Sequence, residues 1–386
     1  MKKNCRLCKS ENLKVFLDLG HHPHSDQFRK TRDEEEITWP LRLQRCRDCG
    51  LVQLTHVVSP EVLYTDDYLY ESSITKTANL HWASFVDDVK SKGLKGNVLD
   101  IGSNDGTLLA KFKEKGFDVL GIDPCKEVTD IANANGIETI TDFFPCDIED
   151  KFDVITGTNV FAHIDDLDAV MQKVDELLKD KGVFIFESPY LKDFLENYEY
   201  DTVYHQHLSY WSIGCLIPFF EKFGMEIFDI TRSEIHGGCV RVFINRIGDR
   251  PVQPIVQDLV SQETWDDAYF DKWADTIELN RTNLIKILQH YTEQGKTIVG
   301  VSSPAKGMTL LNYTGAGKYL KFLTDKSKLK QGRYSPGSHL LIKADSDLKG
   351  DEVGLLLAWN FKKEIMNNVN LKTWIIPIPF PTIVEK

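Results

Sequence analysis

The sequence predicts an α/β protein built from three consecutive parts, and three observations carry that prediction. The first sixty residues hold two C-x-x-C pairs among turn residues and have few long apolar runs. Residues 80–246 alternate short apolar segments with amphipathic ones, the pattern of βαβ units. After two helical stretches that lack glycine until Gly295, a second strand–helix alternation runs from Thr297 to the C-terminus. A length of 386 residues agrees with two or three domains.

Composition narrows the function. Forty-six basic against 58 acidic residues give a net charge of −12, which disfavours a protein that coats nucleic acid. A hydrophobic share of 42% and an aromatic share of 11% suffice for real cores. Apolar runs such as Val353–Trp359 are too short to span a bilayer. The start MKKNCRLCKSENLK has no apolar segment of a leader, so a cytoplasmic chain without membrane attachment is expected.

A reducing compartment makes disulfides unlikely partners for eight cysteines. Cys5/Cys8 and Cys46/Cys49 form two knuckles separated by 37 residues. Two such knuckles place four thiolates tetrahedrally around Zn²⁺, and a segment with little core gains stability from that metal. With four protein ligands the zinc is structural. The spacing between the pairs exceeds the usual 15–20 residues. His21, His22 and His24 lie between the knuckles and stay unassigned. Cys125, Cys146, Cys215 and Cys239 read as reduced, half-buried side chains.

In the middle part, strands are expected at Asn97–Ile101, Asp118–Ile122, Phe152–Thr156 and Val183–Glu187, with helices at Thr107–Lys115, Val128–Asn135 and Asp168–Lys179. Near-continuous apolar strands joined by helical crossovers imply a parallel, Rossmann-like sheet covered on both faces. The stretch VLDIGSNDGTLL runs from strand through a turn, Gly102–Gly106, into a helix. Asp100, Gly102, Asn104, Asp105 and Gly106 are the candidate cofactor residues there. Glycine lets a ligand approach the backbone, and the helix start offers unpaired N–H groups. Acidic residues in that turn would repel a pyrophosphate but suit a cofactor with a positive centre, S-adenosylmethionine (SAM). Asp123, 21 positions after Gly102, can accept hydrogen bonds from ribose hydroxyls. Asp142 could hold the adenine amine and Phe143 cover its face.

Side chains at the carboxyl ends of parallel strands face the ligand crevice. Asn159 and His163 follow the fourth strand, and Tyr204, Gln206 and His207 lie in the densest polar and aromatic cluster, VYHQHLSY. A third histidine-bearing motif is IHGGCVR, with His236. Imidazoles titrate near neutrality and so can take up and release a proton. In the last part, Ser302–Gly307 connect a strand to a helix, and the helix start with Ser303 and Lys306 reads as an anion site.

These stretches, with CRLC, LQRCRDCGLVQL, DYLYESS, GIDP, TNVFAHIDDL, ESPYL, SPAKGMTLLNY, KQGRYSPGSHLLI and LLLAWNFKKEI, resemble the three-domain, SAM-dependent sugar C-methyltransferases that act on nucleotide-linked keto-deoxysugars. The resemblance implies a zinc-binding module at 1–65, a methyltransferase domain at 66–250 and a smaller Rossmann-like domain at 251–386 that helps hold the nucleotide sugar. It implies that a 4-keto group acidifies C3, a base removes that proton, and the enediolate takes the methyl group from SAM. It places the base at His207 with Tyr204 beside it, and His163 at the keto oxygen or as alternative base. Tyr68 or Tyr70 would close the site, and the pyrophosphate would dock at Lys306. Position 206 departs from the family, which commonly has Glu where this chain has Gln. A monomer or weak homodimer is expected. The competing readings are a SAM-dependent O- or N-methyltransferase of another small molecule and a non-catalytic zinc- and nucleotide-binding scaffold.

Overall fold

The computed structural model describes residues 2–63 and 76–386, with the backbone alone at Lys76, Thr77, Ala78 and His236. Tyr68 and Tyr70 lie outside the described residues.

Three sheets organise the chain. The first is antiparallel, in the order β1 (Leu13–His22), β2 (Trp39–Cys46), β3 (Val52–Leu54) and β9 (Ser209–Tyr210). Its fourth strand comes from the middle of the chain, with Val52 opposite Tyr210 and Gln53 opposite Ser209. The N-terminal module is therefore completed by a segment far away in sequence.

The second sheet has seven strands. β4 (Asn97–Ile101), β5 (Asp118–Asp123), β6 (Thr139–Thr141), β7 (Phe152–Thr158) and β8 (Leu178–Pro189) run parallel, and β11 (Cys239–Arg246) and β10 (Met225–Ser233) extend it antiparallel beyond β8. The spatial order is β10-β11-β8-β7-β4-β5-β6. Val98, Leu99, Val154, Ile155 and Phe184–Phe186 are buried, which explains why these strands read as continuous apolar runs. The helices Thr107–Glu114, Lys126–Ala134 and Leu167–Leu177 fall where expected, within two residues at each end. The expectation of a parallel sheet is extended by the antiparallel pair β10–β11. That pair makes the His236 motif part of a tight strand connection.

The third sheet follows the order β14 (Ile342–Lys343), β13 (Leu320–Thr324), β12 (Ile298–Val301), β15 (Val353–Leu356), β16 (Thr373–Ile376) and β17 (Thr382–Glu385), parallel except for β17. Before it, the helix Asp267–Glu293 buries Phe270, Trp273, Ile277, Leu284 and Leu288 along one stripe. That stripe packs in one core with Phe16, Leu17 and Leu19 of β1, and the Phe16 and Phe270 rings lie 4.7 Å apart. Arg47 and Asp267 pair across the same seam at 2.6 Å. The long helix thus joins the last part of the chain to the first.

Candidate active site

In the second sheet the chain winds outward from β4 through β5 to β6 and in the opposite direction from β7 to β8. The crevice between the carboxyl ends of β4 and β7 is the switch point where open α/β sheets bind ligands. Gly102 leaves β4 there with φ +71°, and Asn159 leaves β7 with φ +58°. A Cβ on Gly102 would come within 2.3 Å of the Val160 side chain, so the close approach of the two turns requires glycine.

Three acids surround this crevice. Asp100 is buried, accepts the Thr156 hydroxyl at 2.7 Å, and is pushed up to about 7 by burial, with the nearby Asp123 charge adding to the shift. Asp123 accepts the backbone N–H groups of Asn104 and Cys125 at 3.0 and 2.9 Å, which pins the turn to the tip of β5. Burial raises its carboxyl. Asp105 faces its own helix, accepting the Thr107 hydroxyl at 2.6 Å. Asp142 and Phe143 are exposed beyond β6, with Phe143 presenting an uncovered ring. The amide oxygen of Asn159 is buried with no hydrogen-bond partner among the described residues. An unfilled acceptor, an uncovered aromatic ring and acids able to meet hydroxyls or a cation fit a SAM molecule across the strand ends.

The second group of candidates meets beside this crevice. The rings of His163 and His207 stack with centroids 5.3 Å apart and planes inclined by 21°. His207 Nδ1 lies 2.9 Å from the Thr202 carbonyl, which requires a proton on that nitrogen. Nε2 then carries the lone pair and accepts the Tyr204 hydroxyl at 2.7 Å. His163 is pushed down to about 4 by burial and stays neutral. A turn, in which the His207 N–H donates to the Tyr204 carbonyl at 2.9 Å, puts these two side chains together.

Gln206 is turned toward the first sheet. Its amide nitrogen donates to His24 Nε2 at 2.6 Å and to Asp26 at 3.0 Å. The unassigned His24 thus belongs to the wall behind the catalytic candidates. His205 is buried against Trp39 and pushed down to about 3, chiefly by burial and then by His22 and His24 nearby.

At the anion site expected in the third sheet, both named side chains have partners within the chain. Ser303 is buried, its hydroxyl donates to the Thr324 carbonyl at 3.1 Å and its N–H to Asp325 at 2.8 Å, so it shapes the turn from within. Lys306 sits 4.0 Å above the Trp359 ring, and the charges of Asp201 and Glu199 support its ammonium against burial. Its charge is partly answered by acids of the middle segment. The backbone at His236 lies in the turn Ile235–Gly237 between β10 and β11.

Sequence reasoning passed over a buried cluster behind β8. Glu187 accepts His81 Nε2 at 2.5 Å and two Arg241 nitrogens at 3.0 and 2.8 Å. Burial alone would raise this carboxyl, and those partners outweigh it and hold it low. A strand-end acid in ESPYL was the available signal, but its partners come from residues 106 and 54 positions away.

Cys5, Cys8, Cys46 and Cys49 bring their sulfurs within 4.8 Å of one another, with Cys5–Cys49 and Cys8–Cys46 both at 3.5 Å. Four sulfurs about 2.3 Å from a tetrahedral zinc stand roughly 3.8 Å apart, so the cluster fits that ion with little adjustment. The long loop between the knuckles is taken up by β1 and β2.

Comparison with known proteins agrees with this anatomy. Three family models match in order: "Putative zinc binding domain" over residues 5–64, "Methyltransferase domain" over 76–229 and "C-methyltransferase C-terminal domain" over 234–379. The C-methyltransferase NovU of Streptomyces niveus is 32% identical over 99% of this chain and 96% of its own length. A ubiquinone biosynthesis O-methyltransferase of Actinobacillus pleuropneumoniae serotype 7 is 35% identical, over 26% of this chain and 48% of its own. A SAM-dependent methyltransferase of Clostridium acetobutylicum of known structure aligns at 18% identity, TM-score 0.37, over 44% of this chain and 92% of its own. Sharing all three parts and nearly its full length with such a relative, the chain belongs to the C-methyltransferase family, SAM-dependent enzymes with an N-terminal zinc-binding domain.

Proposed function

We propose that the enzyme methylates C3 of a nucleotide-linked 4-keto-deoxysugar after removing the C3 proton. The observation that carries this reading is the Tyr204–His207–His163 group beside the β4–β7 crevice, since methylation of a carbon next to a ketone needs a base able to enolise it. SAM, held by Asp100, Gly102, Asn104, Asp105, Gly106, Asp123, Asp142, Phe143 and Asn159, supplies an electrophilic methyl group. The full-length relative, whose name gives it as a C-methyltransferase, supports carbon as the acceptor.

In this reading His207 takes the C3 proton on Nε2, whose lone pair is fixed by the bond from Nδ1 to the Thr202 carbonyl. The Tyr204 hydroxyl, which rests on that lone pair, moves to the C4 oxygen as negative charge develops there. One hydroxyl thus guards the base and then steadies the enolate. His163 holds the other side of the pocket. Being neutral, it does not depress the basicity of the stacked His207 as a cation would. With SAM bound, the enolate carbon C3 would take the methyl group as its bond to sulfur breaks, S-adenosylhomocysteine would be the leaving group, and the proton on His207 passes to solvent. The nucleotide would be held by the third sheet near Lys306, with Glu199 and Asp201 as its competitors for that ammonium.

Solvent exchange tests the reading. With a nucleotide-linked 4-keto-6-deoxyhexose in D₂O and no SAM, the enzyme should introduce deuterium at C3, and adding SAM should give a product heavier by one methyl. A 4-keto group acidifies C5 as well, so exchange confined to C5 would reject C3 as the acceptor. Methyl transfer without exchange at either carbon would favour an oxygen or nitrogen acceptor.

A further inference from the structure

The zinc knuckle carries an arginine that reaches the catalytic segments. Arg6, between Cys5 and Cys8, is fully buried, although a guanidinium is costly to bury without partners. Its Nε donates to Asp165 at 2.9 Å, two residues beyond His163. One terminal nitrogen donates to the carbonyl of Leu208 at 3.0 Å, one residue beyond His207, and to that of Leu54 at 3.3 Å. The other terminal nitrogen has no hydrogen-bond partner among the described residues. The same two segments also touch directly, where the Leu208 N–H donates to the Ala162 carbonyl at 2.7 Å.

These bonds close a ring. Ala162 bonds Leu208, Leu208 bonds Arg6, Arg6 bonds Asp165, and Asp165 returns along the chain through His163 to Ala162. The stacked imidazoles project from the two segments that the ring ties together. Lys2, which donates to Asp165 at 2.8 Å, adds a second cation from the same terminus. The planar guanidinium, with its donors in a fixed fork, serves a carboxylate and two carbonyls at once. Replacing a buried ion pair by apolar side chains of similar volume often leaves stability unchanged or raises it, so the burial of Arg6 is weak evidence of a stabilising role.

We propose that Arg6 is a positioning residue that fixes the separation of His163 and His207, so that the zinc module sets the geometry of the proton transfer. The proposal rests on the assignment of His207 as base. It gives the N-terminal module a part in turnover beyond its own folding, without any contact between the metal and the reacting atoms.

A double-mutant cycle on the zinc-loaded, full-length enzyme tests it. Arg6→Met should keep one zinc per chain and hold SAM affinity by calorimetry within about threefold. It should lower kcat and the rate of C3 deuterium exchange by about 10- to 100-fold, with KM changed less than threefold. In the His207→Asn background the same substitution should cost less than about threefold, because the geometry it protects is no longer used. An equal loss in both backgrounds, or none in the wild type, overturns the proposal. If Arg6→Met does not fold, Asp165→Ala, which removes the more exposed end of the bridge, is read in the same cycle. The imidazole ¹H–¹⁵N spectrum gives a readout separate from turnover. The signals of His163 and His207 should shift in either bridge variant while exposed His290 does not, and unmoved His163 and His207 signals overturn the proposal. A silent His207→Asn would instead reject the base assignment, leaving the spectrum to decide on Arg6.

Discussion

Gln206 donates to the Asp26 carboxylate at 3.0 Å, so the residue next to the proposed base is held by the loop that follows β1. The same amide nitrogen also serves His24, which uses both of its protons. An amide suits this place better than an acid. A glutamate would set a second carboxylate against Asp26 and would have no proton to give His24.

The consequence is a testable exchange. Gln206→Glu should lower stability by about 1–3 kcal/mol through the lost donor bonds and the paired charges. Adding Asp26→Asn should recover most of that loss. Denaturant titration of the two variants checks it, and an unstable double variant would show that Asp26 is not the opposing group.

Replacing His207 by Asn removes the proposed base and the acceptor of the Tyr204 hydroxyl. Turnover should fall by about 10² to 10⁴, with SAM affinity unchanged. Steady-state kinetics beside calorimetry makes the measurement. A loss below tenfold would transfer the role away from His207, and neutral His163, pushed down to about 4, is a poor base at pH 7.

Asp123 is tied to the turn at Asn104 and to Cys125, so it shapes the crevice as well as facing it. Asp123→Ala should weaken SAM binding at least about tenfold, since two backbone N–H groups lose their acceptor along with the proposed ligand contact. Zinc content should not change. Calorimetry with SAM and metal analysis of the same sample separate the two effects.

Acid should weaken the fold through its neutral histidines. An unfolded imidazole titrates near 6.5, whereas burial first of all pushes His205 down to about 3 and His163 to about 4, and lowers His22 and His24. Below pH 6.5 the unfolded chain therefore binds more protons than the folded one. The stability is complete above pH 6.5 and declines as pH falls from there toward 4. At pH 5 each of the two strongly shifted groups should account for about 1–2 kcal/mol. Unfolding midpoints at pH 7.5, 6 and 5 measure the slope, and a flat profile would mean that these groups admit protons in the folded state.

Chelation should act on more than the knuckles. Because β3 pairs with β9, loss of zinc should loosen Ser209–Tyr210 along with the first sheet. Hydrogen exchange of the apoprotein should rise in both segments, and exchange confined to residues 2–63 would argue against that coupling.

Much of this was legible in the chain. The βαβ periodicity located β4, β5, β7 and β8 because buried parallel strands are apolar throughout, and the glycine turn announced the crevice. The four cysteines announced their cluster despite a long loop. What was not legible lies in long-range pairing. No local pattern says that Asp26 faces Gln206, that Arg6 spans to Asp165 and Leu208, or that Glu187 is shared by His81 and Arg241. Lys306 and Ser303 look like an anion site in one dimension, whereas the folded chain sets acids beside one and turns the other inward. In each case the deciding partner sits dozens to hundreds of residues away.

The borrowed strand β9 has a bearing on how such enzymes can be recombined. A chimaera that grafted residues 2–63 onto a foreign catalytic domain would leave the inner edge of β3 bare, with its hydrogen-bonding groups facing solvent or a neighbouring molecule. The donor domain would lose the brace beneath its own tyrosine–histidine turn. The two pieces are exchangeable only as a unit, with the cut placed beyond Arg246, where β11 completes the second sheet, rather than at the apparent boundary near residue 65.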